Sequence, residues 1–335
     1  MPALPTELLE HVFMRLRDAG TIVNAMCANS KFRDIGERVL YRELTLNMRI
    51  MDTVATRRRD VRCFVSLSTS QSTPRALRHL TINGHAADDF RTILTTLLSR
   101  ANNLLSLSLN LTFHESSQSV NSDTAIPSLL CTSRHFLPRL TALDASDPQL
   151  VRALALGRSL SSVRIRSNLS YSDVEALAIT GLCNPAGVAE LQLQCAVDGL
   201  DACVAFLTFI AQHFHDLCVL STHFVLPSGY IPTWEEFEDT TRRFFPLLHS
   251  LRHLHVYNFT TTPDPVMART PDSNYDTRTH ELALQVMDAV PGLRRVELRW
   301  HGWQQRGSGW IPVPQTKLMR RKWYYADQRQ EHASE

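Results

Sequence analysis

Hydrophobic positions recur along this chain with two different periods, and the change of period divides it. Between Leu4 and Leu16 the apolar residues Leu8, Leu9, Val12, Phe13 and Leu16 fall on one face of a predicted helix. Pro5 suits the first helical position, and Glu7 complements the positive end of the helix dipole. Gly20 breaks that pattern. Thr21 is placed to cap a second short helix carrying Ile22, Val23, Ala25, Met26 and Cys27, and Asn29 or Ser30 a third carrying Phe32, Ile35, Val39 and Leu40. Three short helices in roughly 40 residues lie at or below the size that folds alone, so their apolar surface calls for a partner or the following domain to cover it.

Beyond residue 40 a six-residue pattern, apolar-x-x-apolar-x-apolar, takes over. It occurs as Tyr41/Leu44/Leu46, Leu77/Leu80/Ile82, Leu104/Leu107/Leu109, Leu140/Leu143/Ala145, Leu160/Val163/Ile165, Val188/Leu191/Leu193, Leu217/Leu220/Thr222, Leu251/Leu254/Val256 and Leu293/Val296/Leu298. Successive first positions are 20 to 42 residues apart, around or above the leucine-rich-repeat period of ~20 to 29. Helical stretches alternate with these segments: Phe90, Ile93, Leu94, Leu97 and Leu98 follow a helical period, as do Phe206, Leu207, Ile210 and Phe214. Ser172 with Glu175 and Thr233 with Glu236 have capping-box spacing. The alternation predicts an α/β fold, a right-handed βα leucine-rich-repeat-like solenoid with a parallel sheet on its inner curve. A doubly wound sheet would carry a Gly-rich turn after a strand, and the sequence has none.

Side chains alternate across a strand, so residues between the apolar positions are expected on the inner, concave surface. Early units place Ser106, Ser108 and Asn110 there; later ones place Arg164, Arg166, Glu190, Gln192, Gln194, His223, His253, His255, Tyr257, Arg295, Glu297 and Arg299. The later set is larger, more aromatic and richer in Arg, a composition found at protein-recognition hot spots. Arg164, Arg166, Gln192, Gln194, His223, His253, His255, Tyr257, Arg295 and Arg299 are therefore the predicted target-binding residues. Polar stretches at Glu115–Ser128 and Thr260–Thr279 read as mobile loops, and a segment with Trp300, Trp303, Trp310, Trp323, Tyr324 and Tyr325 as a cap on the last repeat.

Composition narrows the function. With 35 Lys and Arg against 33 Asp and Glu, the net charge of +2 gives no general reason to expect nucleic acid or an anionic membrane as partner. Seven cysteines without a CxxC pair fit a reducing compartment. With no apolar run of signal-peptide or membrane-spanning length, the expected location is cytoplasmic, nuclear or both. No GxSxG, P-loop or GxGxxG occurs, and His280-Glu281 lacks the second His of a zincin because Leu284 stands there. The pairs His213/His215 and His253/His255 have no third ligand at recognisable spacing, and Cys183, Cys195 and Cys203 read as small apolar residues. No catalytic residue, metal or cofactor is expected.

The N-terminal helices resemble a known module. Leu4-Pro5-x-Glu7-Leu8-Leu9-x-x-Val12-Phe13-x-x-Leu16, Thr21-Ile22, Asn29-Ser30-Lys31-Phe32-Arg33-x-Ile35 and Leu40-Tyr41-Arg42-x-Leu44-x-Leu46 together resemble an F-box of the kind common in fungi. Phe32 stands where many F-boxes carry Trp, and Thr21 where many carry Asp. The resemblance implies an F-box over residues 1–46, a degenerate leucine-rich-repeat-like solenoid over 47–298 that holds a protein target, and a Trp-rich cap and tail over 299–335. It implies Skp1 as partner, through it a cullin-RING core, and contact residues Leu4, Pro5, Leu8, Leu9, Val12, Ile22 and Phe32. The expected role is the non-catalytic substrate-recognition subunit of a Skp1-cullin-F-box ubiquitin ligase, serving ubiquitin-dependent protein degradation. A Skp1-bound scaffold that does not ubiquitylate, or a repeat-fold binding module without a ligase role, are the alternatives.

Overall fold

A computed structural model describes residues 5–48, 65–113, 136–177, 187–262 and 274–313, apart from positions 17, 71, 72, 87, 156, 157, 252, 299, 300 and 308. The chain forms two compact units, residues 1–160 and 161–335.

The first unit opens with α1 (Thr6–Arg15), α2 (Ala19–Ala28) and α3 (Ser30–Leu40). They enclose a small core of Leu9, Phe13, Ile22 and Ile35, against which Leu16, Met26, Phe32 and Val39 also pack. Phe13 and Phe32 meet edge to face, ring centroids 5.8 Å apart. At Gly36 a Cβ would stand 2.3 Å from the Met26 Cγ, so any larger residue there requires the Met26 side chain to move. The cap of α2 is Asp18 rather than Thr21: its carboxylate accepts from the Thr21 backbone N–H at 2.8 Å. Gly20, expected to break the first helix, lies in the first turn of the second, and α1 ends earlier, at Arg15. Asn29 caps α3 by accepting from the Lys31 N–H.

Four strands follow, β1 (Glu43–Met48), β2 (His79–Ala86), β3 (Ser106–Phe113) and β4 (Ala142–Ala145), with helices α4 (Thr73–Ala76), α5 (Asp88–Arg100) and α6 (Pro148–Ala155). Neighbours in sequence pair in parallel, so Leu80 aligns with Leu107 and Leu107 with Leu143 on the buried face. The residue before each strand extends the ladder: the Arg42 carbonyl accepts from the N–H groups of Arg78 and His79, and the Arg78 carbonyl from those of Leu105 and Ser106. Arg158 is buried and donates to the carbonyls of Phe136 and Leu154, satisfying chain groups at the C-terminal end of α6.

The second unit contains β5 (Ser162–Leu169), α7 (Tyr171–Leu177), β6 (Glu190–Ala196), α8 (Leu200–His213), β7 (Val219–Val225), α9 (Trp234–Arg243), α10 (Phe245–Ser250), β8 (Val256–Thr262), α11 (Asn274–Ala289), β9 (Arg295–Leu298), β10 (His301–Arg306) and β11 (Gly309–Pro312). Strands β5 to β9 run parallel in sequence order; β10 and β11 add to β9 antiparallel. Trp303 is buried and Trp310 partly so in this hairpin, while Trp300, Trp323, Tyr324 and Tyr325 lie outside the described residues. Glu115–Ser128 lies outside them as well. Of the stretch Thr260–Thr279 expected to be a loop, Thr260–Thr262 complete β8 and Asn274–Thr279 open α11.

One strand departs from the expected register. Tyr257 aligns with Leu220 and Val296, and Phe259 with Thr222 and Leu298, so the working triple is Leu254/Tyr257/Phe259 and not Leu251/Leu254/Val256. An odd shift exchanges the two faces of a strand. Tyr257 is therefore fully buried on the core side, correcting its placement on the concave face. Aromatic packing explains the choice: Phe259 contacts the rings of Phe224, Phe237 and Phe244 at 5.8, 5.2 and 4.9 Å, burying more apolar area than Val256 offers.

Candidate functional site

Two surfaces collect the predicted contact residues. On the helical module, Leu8 and Val12 of α1 and Val23 of α2 are 51%, 55% and 47% exposed. In a helix, positions 8 and 12 sit one turn apart on the same face, about 100° round from the inward pair Leu9 and Phe13. Pro5 is exposed and Phe32 half-buried. Leu9 and Ile22, expected to contact a partner, instead form the module's own core, because a three-helix unit needs inward Leu and Ile to close at all. Leu4 lies outside the described residues.

The second surface is the face of the β5–β9 sheet opposite the core, on which Arg164, Gln192, His223 and Arg295 are partly exposed and Gln194, Ser221, Asn258, Thr260 and Glu297 are buried. Its rows follow from strand register. Ser162, Glu190, Val219, Val256 and Arg295 make one row, and Arg164, Gln192, Ser221, Asn258 and Glu297 the next. A third row runs Asn168, Gln194, His223 and Thr260. Neighbours bond across strands about 4.8 Å apart. Ser162 donates to Glu190 at 3.0 Å, Arg164 to Gln192 at 2.6 Å, and Gln194 to Asn168 at 2.6 Å. The His223 ring bonds the Thr260 hydroxyl through Nδ1 and the Thr262 hydroxyl through Nε2. At the far end the Glu297 carboxylate, only 2% exposed, accepts from both Arg295 and the Asn258 amide. The Asn258 Oδ1 is buried with no partner among the described residues.

Arg164, Gln192, Gln194, His223 and Arg295 thus share one face. Arg295 is not simply a surface residue, since removing it strands a buried carboxylate. Arg166 falls in the irregularity between Ile165 and Asn168, where the β5–β6 register shifts. The positions of His253 and His255 are corrected along with Tyr257: both precede β8, His253 exposed and His255 bonding the Gly292 carbonyl through Nδ1. Arg299 lies outside the described residues. Asn168, Ser221, Asn258 and Thr260 complete the polar rows and were missed, because a hexapeptide search identifies apolar anchors and says nothing about which polar residues align between strands.

Of the groups weighed for chemistry, Cys183 lies outside the described residues and His215 and His253 are exposed. Burial pushes the Cys203 thiol up to about 12 and raises Cys195 as well, suppressing the thiolate needed for nucleophilic attack. His213 stacks on Phe209 at 4.1 Å and bonds its carbonyl through Nδ1. Among the described residues no three His, Cys, Asp or Glu side chains are grouped to hold a metal, and no helix is long and apolar enough to cross a membrane. No protein-family model matches the chain, and no curated protein matches it.

Proposed function

We propose that this chain is the substrate-recognition subunit of a Skp1-cullin-F-box ubiquitin ligase: an F-box over its first helices followed by a degenerate leucine-rich-repeat-like solenoid. The observation that carries the reading is the pair Leu8 and Val12, large aliphatic side chains left half in water by a module whose core is already closed by Leu9, Phe13, Ile22 and Ile35. Stability of the helices does not require them, and burying each in an interface contributes about 1.5 to 3 kcal/mol. Together with the Leu-Pro opening and the order of the three helices, they fit a Skp1-binding surface. Target contact falls to the partly exposed Arg164, Gln192 and His223, whose bonds to neighbouring strands fix the orientation in which they are presented. The subunit acts by proximity, raising the effective concentration of target lysines near a charged E2 held by the cullin-RING core.

Affinity purification of the full chain with mass spectrometry tests both surfaces. Leu8→Asp with Val12→Asp is expected to abolish Skp1 recovery and leave the helices folded, because neither residue is in the core. Arg164→Ala with Gln192→Ala is expected to lose the target and keep Skp1. Undiminished Skp1 recovery by the first variant overturns the assignment.

A further inference from the structure

An open cleft of about 710 Å³ in the first unit is lined by Arg38, Arg42, Arg75 and Arg78 and by Glu10, Asp34 and Glu37. We propose that it binds a phosphate monoester, with Arg42 and Arg78 gripping the phosphoryl group. The fold forces these two arginines together: they stand immediately before β1 and β2, and the Arg78 N–H donates to the Arg42 carbonyl at 2.9 Å. Both side chains line the cleft from the residue just ahead of neighbouring strands, so an anion between them relieves like-charge repulsion. Among the described residues neither guanidinium has a short bond to an oxygen acceptor. Arg42 donates to the Met14 thioether, a weak acceptor, and Arg78 to the Asn103 carbonyl at 3.5 Å. Among the described residues none of the four guanidinium groups is ion-paired to a carboxylate; Arg38 donates from Nε to the Asp34 carbonyl at 3.2 Å, while the forks of Arg42 and Arg78 remain open to phosphoryl oxygens. Arg75, exposed on α4, supplies a third cation at the rim.

The three carboxylates set the class of ligand. Four positive groups against three negative ones disfavour a polyanion and favour one phosphoryl group on a body with hydrogen-bond donors or positive charge. Two sources present that chemistry, a small hydroxylated or amino phosphate ester and a phosphorylated Ser or Thr followed by basic residues in a polypeptide. The inference stands on this cleft alone and is independent of Skp1 binding.

Calorimetric titration of the full chain tests it, using O-phosphoserine, a phosphoserine peptide with lysines after the modified residue, and the unmodified peptide. Saturable binding of a phosphorylated compound and none of the unmodified peptide is expected. Arg42→Ala with Arg78→Ala should weaken binding at least tenfold, and Arg42→Lys with Arg78→Lys, which keeps the charge and the fold, should recover only part. Glu10→Gln with Asp34→Asn should tighten binding of inorganic phosphate, an opposite sign that no folding defect produces. Peptide binding tenfold tighter than O-phosphoserine identifies a protein source; equal affinities identify a small ester. Absence of saturable binding by every phosphorylated compound, or binding unaltered in the alanine and lysine variants alike, overturns the proposal.

Discussion

A buried phenol without an acceptor sits at the centre of the second unit. Tyr257 is fully buried, and its hydroxyl has no hydrogen-bond partner among the described residues. An unsatisfied buried hydroxyl costs about 1 to 3 kcal/mol. Tyr257→Phe is therefore expected to leave stability unchanged or raise it by about 1 kcal/mol, while Tyr257→Ala lowers it by about 3 to 5 kcal/mol through the cavity. Urea titration followed by tryptophan fluorescence reads both, and strong destabilisation by Tyr257→Phe would place a partner on the hydroxyl. Cys203 gives a pH-dependent counterpart. Its thiol is raised from 9.0 to about 12 by burial. Between those values the unfolded chain has lost the proton and the folded chain keeps it, so ionisation favours the unfolded state and stability falls as pH rises above 9. At pH 10 the loss is on the order of 1 kcal/mol for this thiol. Cys203→Ala should flatten the decline between pH 9 and 10.5 in melting experiments and have no effect on the slope below pH 8.

Helix caps show how far elements can be read from residue order. Thr233 and Glu236 have capping-box spacing, and the structure forms both bonds: the Thr233 hydroxyl accepts from the Glu236 N–H at 3.2 Å, and the Glu236 carboxylate from the Thr233 N–H at 2.7 Å. Thr233→Ala is expected to cost about 1 kcal/mol, seen as a lower melting temperature that Thr233→Ser largely restores. The spacing Ser172/Glu175 was less informative, since the reciprocal pair is Ser170 with Asp173, two residues earlier. Ser, Thr and Asp are common enough that several frames satisfy the motif, and packing of Val174 and Leu177 decides among them. The same limit explains β8. Eight of the nine hexapeptides mark their strands because Leu, Ile and Val are apolar whatever surrounds them. Tyr257 carries a hydroxyl, so its pattern could be read facing either way, and the aromatic contacts of Phe259 with Phe224, Phe237 and Phe244 fix it. Cross-strand polar rows were illegible for a related reason: Asn258 and Glu297 meet through registers set by intervening segments of unequal length.

At the scale of the molecule, local and long-range order are separated. The helical module closes its core with residues drawn from 9 to 35 alone, whereas Phe259 is held by contacts reaching from Phe224 to Phe244 in the second unit. Architectures in which each strand and helix touches mainly their neighbours lose stability near a lesion first, because the free energy is a sum over adjacent units. Phe259→Ala removes a ring packed against three others and leaves a cavity costing about 3 to 5 kcal/mol. Hydrogen exchange followed by mass spectrometry should then show faster exchange of the amides in β7, β8, α9 and α10. Protection of α1 to α3 should match that of the parent chain, since their core residues belong to the other unit. The converse variant, Ile35→Ala, should open the three helices and leave the exchange of β7 and β8 unchanged. Equal loss of protection throughout the chain in either variant would mean that the two units unfold as one cooperative body.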